Sequence, residues 1–222
     1  MKLVIYISRN RNIKKIAKYI KCAKEEISDD VEISIVENTN KQVDINEMMS
    51  ADIIVILSHG GDELIYHSYT GGMNKNDILI DINNVDIFEN KKVIALCCYT
   101  ARKLGPYAVS NKHCISYLGF LNAINRELED QKTPPAVVCF LSTIYGIAFK
   151  NTIIEAINNK LNFKEVRKYL KHEIQRLIIE KVMDGGIEDQ KYDMSLVPLI
   201  VLAAGNTAEG IRCFGDINSA II

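Results

Sequence analysis

Val93-Ile94-Ala95-Leu96-Cys97-Cys98-Tyr99-Thr100-Ala101 is an apolar run of strand length that stops on two cysteines and passes at once into residues able to begin a helix. A side chain at such a junction lies at the carboxyl end of a strand and beside helix-start amides, where open α/β sheets hold their ligands. The pattern therefore puts Cys98 where a thiol is activated, because the partial positive charge of a helix start favours a thiolate. Upstream, Asp52 to Ser58 is a second strand-like run, and it ends on His59-Gly60-Gly61. Two parallel strands in one sheet bring both ends to one edge, where a thiol and an imidazole can meet.

Working outward, Lys2 to Ile7 reads as a buried β-branched strand and Ser8 to Asn12 as a polar loop. Ile13, Ile16, Ala17, Ile20, Ala23 and Ile27 recur at helical spacing, with Lys14, Lys15, Lys18, Lys21 and Lys24 elsewhere around the cylinder as a solvated face. Val31 to Val36 alternates as a strand, and Asp44 or Asn46 is a candidate cap for a short helix before Asp52. The order β-α-β-α-β predicts a parallel sheet with right-handed crossovers. After His59 the stretch holding Gly60, Gly61, Gly71 and Gly72 reads as a long functional loop, and Asp77 to Phe88 as a short element at the edge. The spacing predicts a helix from about Tyr99 to Val109 and a strand from Cys114 to Leu118. Beyond Pro134-Pro135 come a buried helix and an amphipathic helix carrying Phe163, Val166, Leu170, Ile174, Leu177 and Ile178, which Asp184-Gly185-Gly186 ends. Leu196 to Ala203 and Ile211 to Phe214 read as two late strands in an antiparallel hairpin.

A chain of 222 residues fits one domain, 1–222, with room for a real core. Hydrophobic residues at 48% and charged residues at 25% are those of an ordinary globular protein. The net charge of −1 argues against a nucleic-acid partner, which normally shows as a concentrated basic face. Cys22, Cys97, Cys98, Cys114, Cys139 and Cys213 contain no C-x-x-C pair and no regular spacing, against a disulfide scaffold or zinc site. Leu3 to Ile7, followed by Arg9 and Arg11, does not resemble a secretory signal. Ala136 to Phe149, broken by Ser142, Thr143 and Gly146, falls short of the roughly 20 residues that span a membrane. These features point to a reducing, cytoplasmic compartment and to no membrane partner.

Peptide-bond cleavage by a thiol needs a nucleophile, a proton donor for the leaving amine and N–H groups for the oxyanion. Cys98 is placed to attack, His59 to protonate the leaving nitrogen, and the amides of Gly60 and Cys98 to hold the oxyanion. A glycine after the histidine suits the last role, because a Cβ would obstruct a substrate carbonyl approaching the main chain. The interval from His59 to Cys98 accommodates a loop and one crossover, which takes roughly a dozen residues or more. By strand alternation Cys97 and Cys98 point to opposite faces, so one of them reaches the cleft; Asp62-Glu63 reads first as a solvated loop, with orientation of His59 or substrate binding as the other reading.

An apolar block ending in Ser58-His59-Gly60, followed by a second ending in a small residue and a cysteine, resembles the caspase-like cysteine peptidases: caspases, metacaspases, separase and the CHAT domains. Val55 to Tyr66, VILSHGGDELIY, is similar to caspases, whereas Cys98-Tyr99-Thr100-Ala101 with Leu104-Gly105, and the ending Gly205 with Ile211 to Asp216, resemble a CHAT domain. The caspase pentapeptide Q-A-C-R-G is replaced by Leu96-Cys97-Cys98-Tyr99-Thr100. Because the family pattern has a small residue before the nucleophile, Cys98 is the expected nucleophile and Cys97 the small residue. The resemblance implies a three-layer α/β sandwich with a largely parallel central sheet, and no metal or organic cofactor. It implies an endopeptidase acting on a protein substrate in regulated proteolysis, with a partner protein as one means of switching it. Arg9 and Arg11 stand in the loop where caspases carry an arginine for an acidic residue before the cleaved bond, and Asp62 is a further candidate substrate contact.

Two other classes remain open. A pseudoenzyme would keep the fold as an interaction module without an activated thiol. A nucleotide-sensing doubly wound domain is disfavoured by the absence of glycine from the loop after the first strand, although Ser8 and Asn10 could contact a phosphate.

Overall fold

The chain runs through β1 (Lys2–Ile7), α1 (Arg11–Lys21), β2 (Glu32–Val36), α2 (Lys41–Met49), β3 (Ile53–Leu57), β4 (Leu64–Ser68), β5 (Asp77–Asp81), β6 (Lys92–Leu96), α3 (Leu104–Lys112) and β7 (Ser116–Phe120). It continues through α4 (Pro135–Asn158), α5 (Phe163–Met183), the two-residue strands β8 (Gly186–Ile187) and β9 (Gln190–Lys191), α6 (Val197–Glu209) and β10 (Ile211–Gly215). The computed structural model describes all residues except 38–39, 69–76, 125–133, 185, 188–189 and 192–193. Gly71 and Gly72 therefore lie outside the described residues.

A six-stranded sheet in the order β10-β7-β6-β3-β1-β2 organises the molecule. Its strands pair in parallel except β10, which runs antiparallel to β7 and closes one edge. The centre needs near-continuous apolar sequence because both faces are covered. All five residues of β3 are accordingly buried, as are five of the six in β1. Alternate side chains feed two cores. Leu3, Ile5, Val55, Leu57, Ile94 and Leu96 pack with α1, α4, α5 and α6. Val4, Tyr6, Ile54, Ile56, Ala95 and Cys97 pack with α2, α3 and the β4-β5 hairpin. The result is a three-layer α/β sandwich around a mostly parallel sheet.

Several elements differ from their sequence-based expectation. Asn40, rather than Asp44 or Asn46, caps α2, its side chain accepting from the N–H groups of Gln42 and Val43. Asp44 is instead wholly buried. Within the described part of the stretch after His59, β4 pairs antiparallel with β5, where a long loop was expected. Leu196 to Ala203 is not a strand either: most of it lies in α6, with Pro198 in the first turn, where a missing N–H costs no helical bond. Only Ile211–Gly215 is a strand, and it pairs with β7.

α4 runs 24 residues, so the expectation that its apolar segment is too short to span a membrane fails on length. By length and composition it could cross one, but 61% of its most apolar window is buried inside the protein, as in a core helix. It lies tightly against α1: a Cβ on Gly146 would fall 2.3 Å from the Tyr19 ring and 3.1 Å from the Ile16 carbonyl oxygen. α5 starts with a capping box in which Asn162 accepts from the Glu165 N–H and Glu165 from the Asn162 N–H.

Candidate active site

Ile7 of β1 pairs in register with Leu57 of β3, and Leu57 with Leu96 of β6. Arg9, His59 and Cys98 each follow that row by two positions. Three parallel neighbours thus deliver a cation, an imidazole and a thiol to the same carboxyl edge, beside the point where the chain departs from β1 toward β2 and from β3 toward β6. This is the ligand edge of an open parallel sheet.

Gly60, the residue after His59, lies against the Cys98 turn. A Cβ on Gly60 would fall 2.5 Å from the Cys98 carbonyl oxygen, 2.9 Å from the Thr100 methyl and 3.0 Å from Cβ of Cys97. Glycine is required because backbone meets backbone here. Gly60 also faces Ile65 across an isolated antiparallel bridge, flanked by the bonds Gly61 N–H to Leu64 O (2.9 Å) and Tyr66 N–H to His59 O (3.0 Å). Gly60 is therefore the non-hydrogen-bonded member of the ladder, and its own N–H points away from β4.

Cys98 does not start a helix. Residues 98–103 form turns, Tyr99 is left-handed at φ 64°, and α3 begins only at Leu104. The first amides of α3 are engaged elsewhere, Leu104 N–H with the Asp62 carbonyl and Gly105 N–H with the Thr100 carbonyl, each at 2.8 Å. The first turn of α3 is thus not turned on Cys98, contrary to expectation, and a backbone donor from beyond β7 is. The backbone N–H of Ile124 lies 3.1 Å from the Cys98 sulfur, an arrangement complementary to a thiolate. Thr100 anchors the turn from below. It is wholly buried, its hydroxyl donates to the Cys97 carbonyl at 3.2 Å, and a Cβ on Gly60 or Gly119 would press on its side chain.

The two cysteines are separated by burial. Cys97 is fully enclosed, its thiol directed at the Ile56 carbonyl at 3.6 Å, and desolvation pushes it far above the ordinary thiol range. Cys98 is half-buried. Burial also pushes the thiols of Cys114 and Cys213 up to about 12.

Arg9 is exposed on the site edge. Arg11 opens α1, but its side chain lies outside the described residues. Asp62 has a partly exposed carboxylate 3.5 Å from Arg102, and its carbonyl accepts from Leu104. Ser8 and Asn10 are occupied, Ser8 donating to the His67 carbonyl and Asn10 capping α1. A cavity of about 360 Å³ lies beside this region between Glu63, Ile82, Lys103 and Tyr107, and neither His59 nor Cys98 lines it.

Sequence reasoning missed two parts of the surroundings. His67 has partners: its Nδ1 is 2.9 Å from the Tyr6 hydroxyl and 3.8 Å from the buried carboxylate of Asp44. Burial, and then the charge of Asp44, hold the Tyr6 phenol far above its ordinary range and so protonated. No spacing rule joins residues from β1, α2 and β4. Arg102 was the other omission; its position four residues after Cys98 was a signal only once the turn was known. Among the described residues no group of three or more His, Cys, Asp or Glu could hold a metal ion. Comparison with known proteins finds no matching protein-family model and no matching curated protein.

Proposed function

We propose that the chain is a caspase-like cysteine endopeptidase with Cys98 as nucleophile and His59 as acid-base partner. The observation that carries this reading is the shared register of β3 and β6, with Gly60 closed down on the Cys98 carbonyl. The proton of Cys98 passes to His59, and the thiolate attacks the scissile carbonyl carbon. The Gly60 and Cys98 amides receive the oxyanion, and the C–N bond breaks as His59 returns the proton to the leaving amine. Water then hydrolyses the thioester. The substrate is a protein segment lying in extended form across the sheet edge. Arg9, exposed at the same sheet edge, is the candidate partner for an acidic side chain before the cleaved bond, and Asp62, partly exposed beside Arg102, is a further candidate contact. All six cysteines are free thiols, which supports a reducing, cytoplasmic setting. Regulated proteolysis, switched by a partner protein, fits an enzyme of this class.

The test is a peptide library presented to the wild type, Cys98→Ala and His59→Ala. The expected result is cleavage by the wild type alone, favouring Asp or Glu before the bond, with that preference lost in Arg9→Ala. Cleavage that persists in Cys98→Ala would reject the assignment. Exclusive cleavage after Arg or Lys would reject the role of Arg9. If Cys98 in the native protein were alkylated no faster than exposed Cys22, the interaction-module reading would replace the enzyme.

A further inference from the structure

We infer that Arg102 is a positioning residue that locks the nucleophile turn, the histidine loop and the sulfur's N–H donor into one unit; the inference rests on the peptidase reading of Cys98. Its Nε donates to the Leu121 carbonyl at 2.7 Å. Its guanidinium lies 4.4 Å from the centre of the Tyr99 ring, its Nη1 3.5 Å from the Asp62 carboxylate, and its backbone N–H donates to the Tyr99 carbonyl at 2.9 Å.

Each contact alone is weak, since the ion pair is half-exposed and exposed pairs contribute little. Their significance is what they join. Tyr99 holds a left-handed backbone that a residue with a Cβ disfavours, so its surroundings must impose it. Arg102 stacks on its ring and binds its carbonyl. The Tyr99 N–H meets the Asn122 carbonyl at 3.4 Å, one residue beyond the Leu121 carbonyl that Arg102 grips. Two residues further on, the Ile124 N–H points at the Cys98 sulfur. Through Asp62 the same guanidinium reaches the loop that follows His59. Arg102 thus fixes the strand exit that supplies the sulfur's donor without touching the reacting atoms. A planar guanidinium can stack and donate at once, whereas an ammonium cannot reproduce both contacts.

The experiment compares wild type, Arg102→Ala and Arg102→Lys at neutral pH by two readouts. One is the iodoacetamide rate at Cys98 divided by that at Cys22 in the same molecule; the other is kcat and KM on a peptide the wild type cleaves. Both variants should lose roughly fivefold or more in the alkylation ratio. They should lose roughly tenfold in kcat, with KM within about twofold and an unchanged circular dichroism spectrum. A ratio in Arg102→Ala equal to wild type overturns the inference. So does a full rescue by Arg102→Lys, which would mean that charge rather than geometry matters. If Arg102→Ala does not fold, Arg102→Lys decides alone. A wild type that cleaves no peptide defeats the peptidase reading, and the alkylation ratio still decides the role of Arg102.

Discussion

The α-carbon of Gly60 sits so close to the Cys98 carbonyl that a single added methyl would approach that oxygen to 2.5 Å. The contact couples two loops that are distant in sequence and makes the positions of His59 and Cys98 interdependent. Sheet register brings the strand ends level, and the absence of one side chain lets the loops beyond them close.

Gly60→Ala should therefore disturb both stability and chemistry. The new methyl would meet backbone oxygen, the Thr100 methyl and Cβ of Cys97 together, and none of these is the free end of a flexible side chain. Overpacking of this kind costs about 1–3 kcal/mol. The expected outcome is a lower midpoint in urea, with a fall of roughly tenfold or more in Cys98 alkylation or peptide cleavage. Wild-type stability together with wild-type reactivity would show that the two loops are not in contact.

The cysteines should react in an order set by burial and by the Ile124 donor. Cys98 is expected to alkylate first, exposed Cys22 next, and Cys97, Cys114 and Cys213 hardly at all near neutral pH. Burial raises the latter three thiols, to about 12 for Cys114 and Cys213, so they carry almost no thiolate there. Peptide mapping after limiting iodoacetamide checks this. Rapid native-state labelling of Cys97 would reverse the assignment of the nucleophile.

The strands that carry the site were legible because they are buried on both faces, which leaves an unbroken apolar run in β3 and β6 with a break in character at each end. From those breaks His59, Gly60 and Cys98 followed. The turn after Cys98 was not legible, since residues 99–103 carry no strong breaker and continue naturally as helix. What unwinds them is tertiary: the left-handed Tyr99, and Gly60, Gly105 and Gly119 all packed around Thr100. The β4-β5 hairpin was hidden because His67, polar by type, occupies a buried position in the alternation of β4. In the tail, an apolar run between glycines suits a buried helix as well as a strand, and α6 shows which won. Arg102 grips the Leu121 carbonyl and Ile124 offers its backbone N–H, and such main-chain contacts leave no residue pattern to read.

Gly146→Ala should separate stability from the site. Alanine is favoured over glycine in a helix by up to about 1 kcal/mol. Against this, its methyl would meet the Tyr19 ring at 2.3 Å and the Ile16 carbonyl oxygen at 3.1 Å, forcing α1 and α4 apart. A net loss of about 1–2 kcal/mol is expected. The alkylation ratio of Cys98 to Cys22 should not change, because the α1-α4 contact lies on the opposite core from the Thr100 turn. A fall in that ratio would mean that the helical layer and the site move as one.

Glu173 should make stability depend on pH in the acid range. Its buried side chain accepts two bonds from Arg176, at 2.8 and 2.9 Å, and one from Asn151. The Arg176 bonds are the main reason its carboxyl lies below the ordinary value, with burial opposing and Asn151 assisting. A group depressed in the folded state contributes stability above its unfolded value and loses it as pH falls through the folded one. The contribution is thus complete at neutral pH, begins to fade below about pH 4.5, the ordinary carboxylate value, and disappears once the folded carboxyl is protonated. Glu173→Ala should cost about 2–3 kcal/mol at pH 7, since it removes charged hydrogen bonds and strands the Asn151 amide. Urea midpoints of wild type and variant should converge as the solution is acidified through this range. A gap that stays constant from pH 7 to pH 3 would show that packing of the Glu173 side chain, rather than its charge, holds α5 against α4.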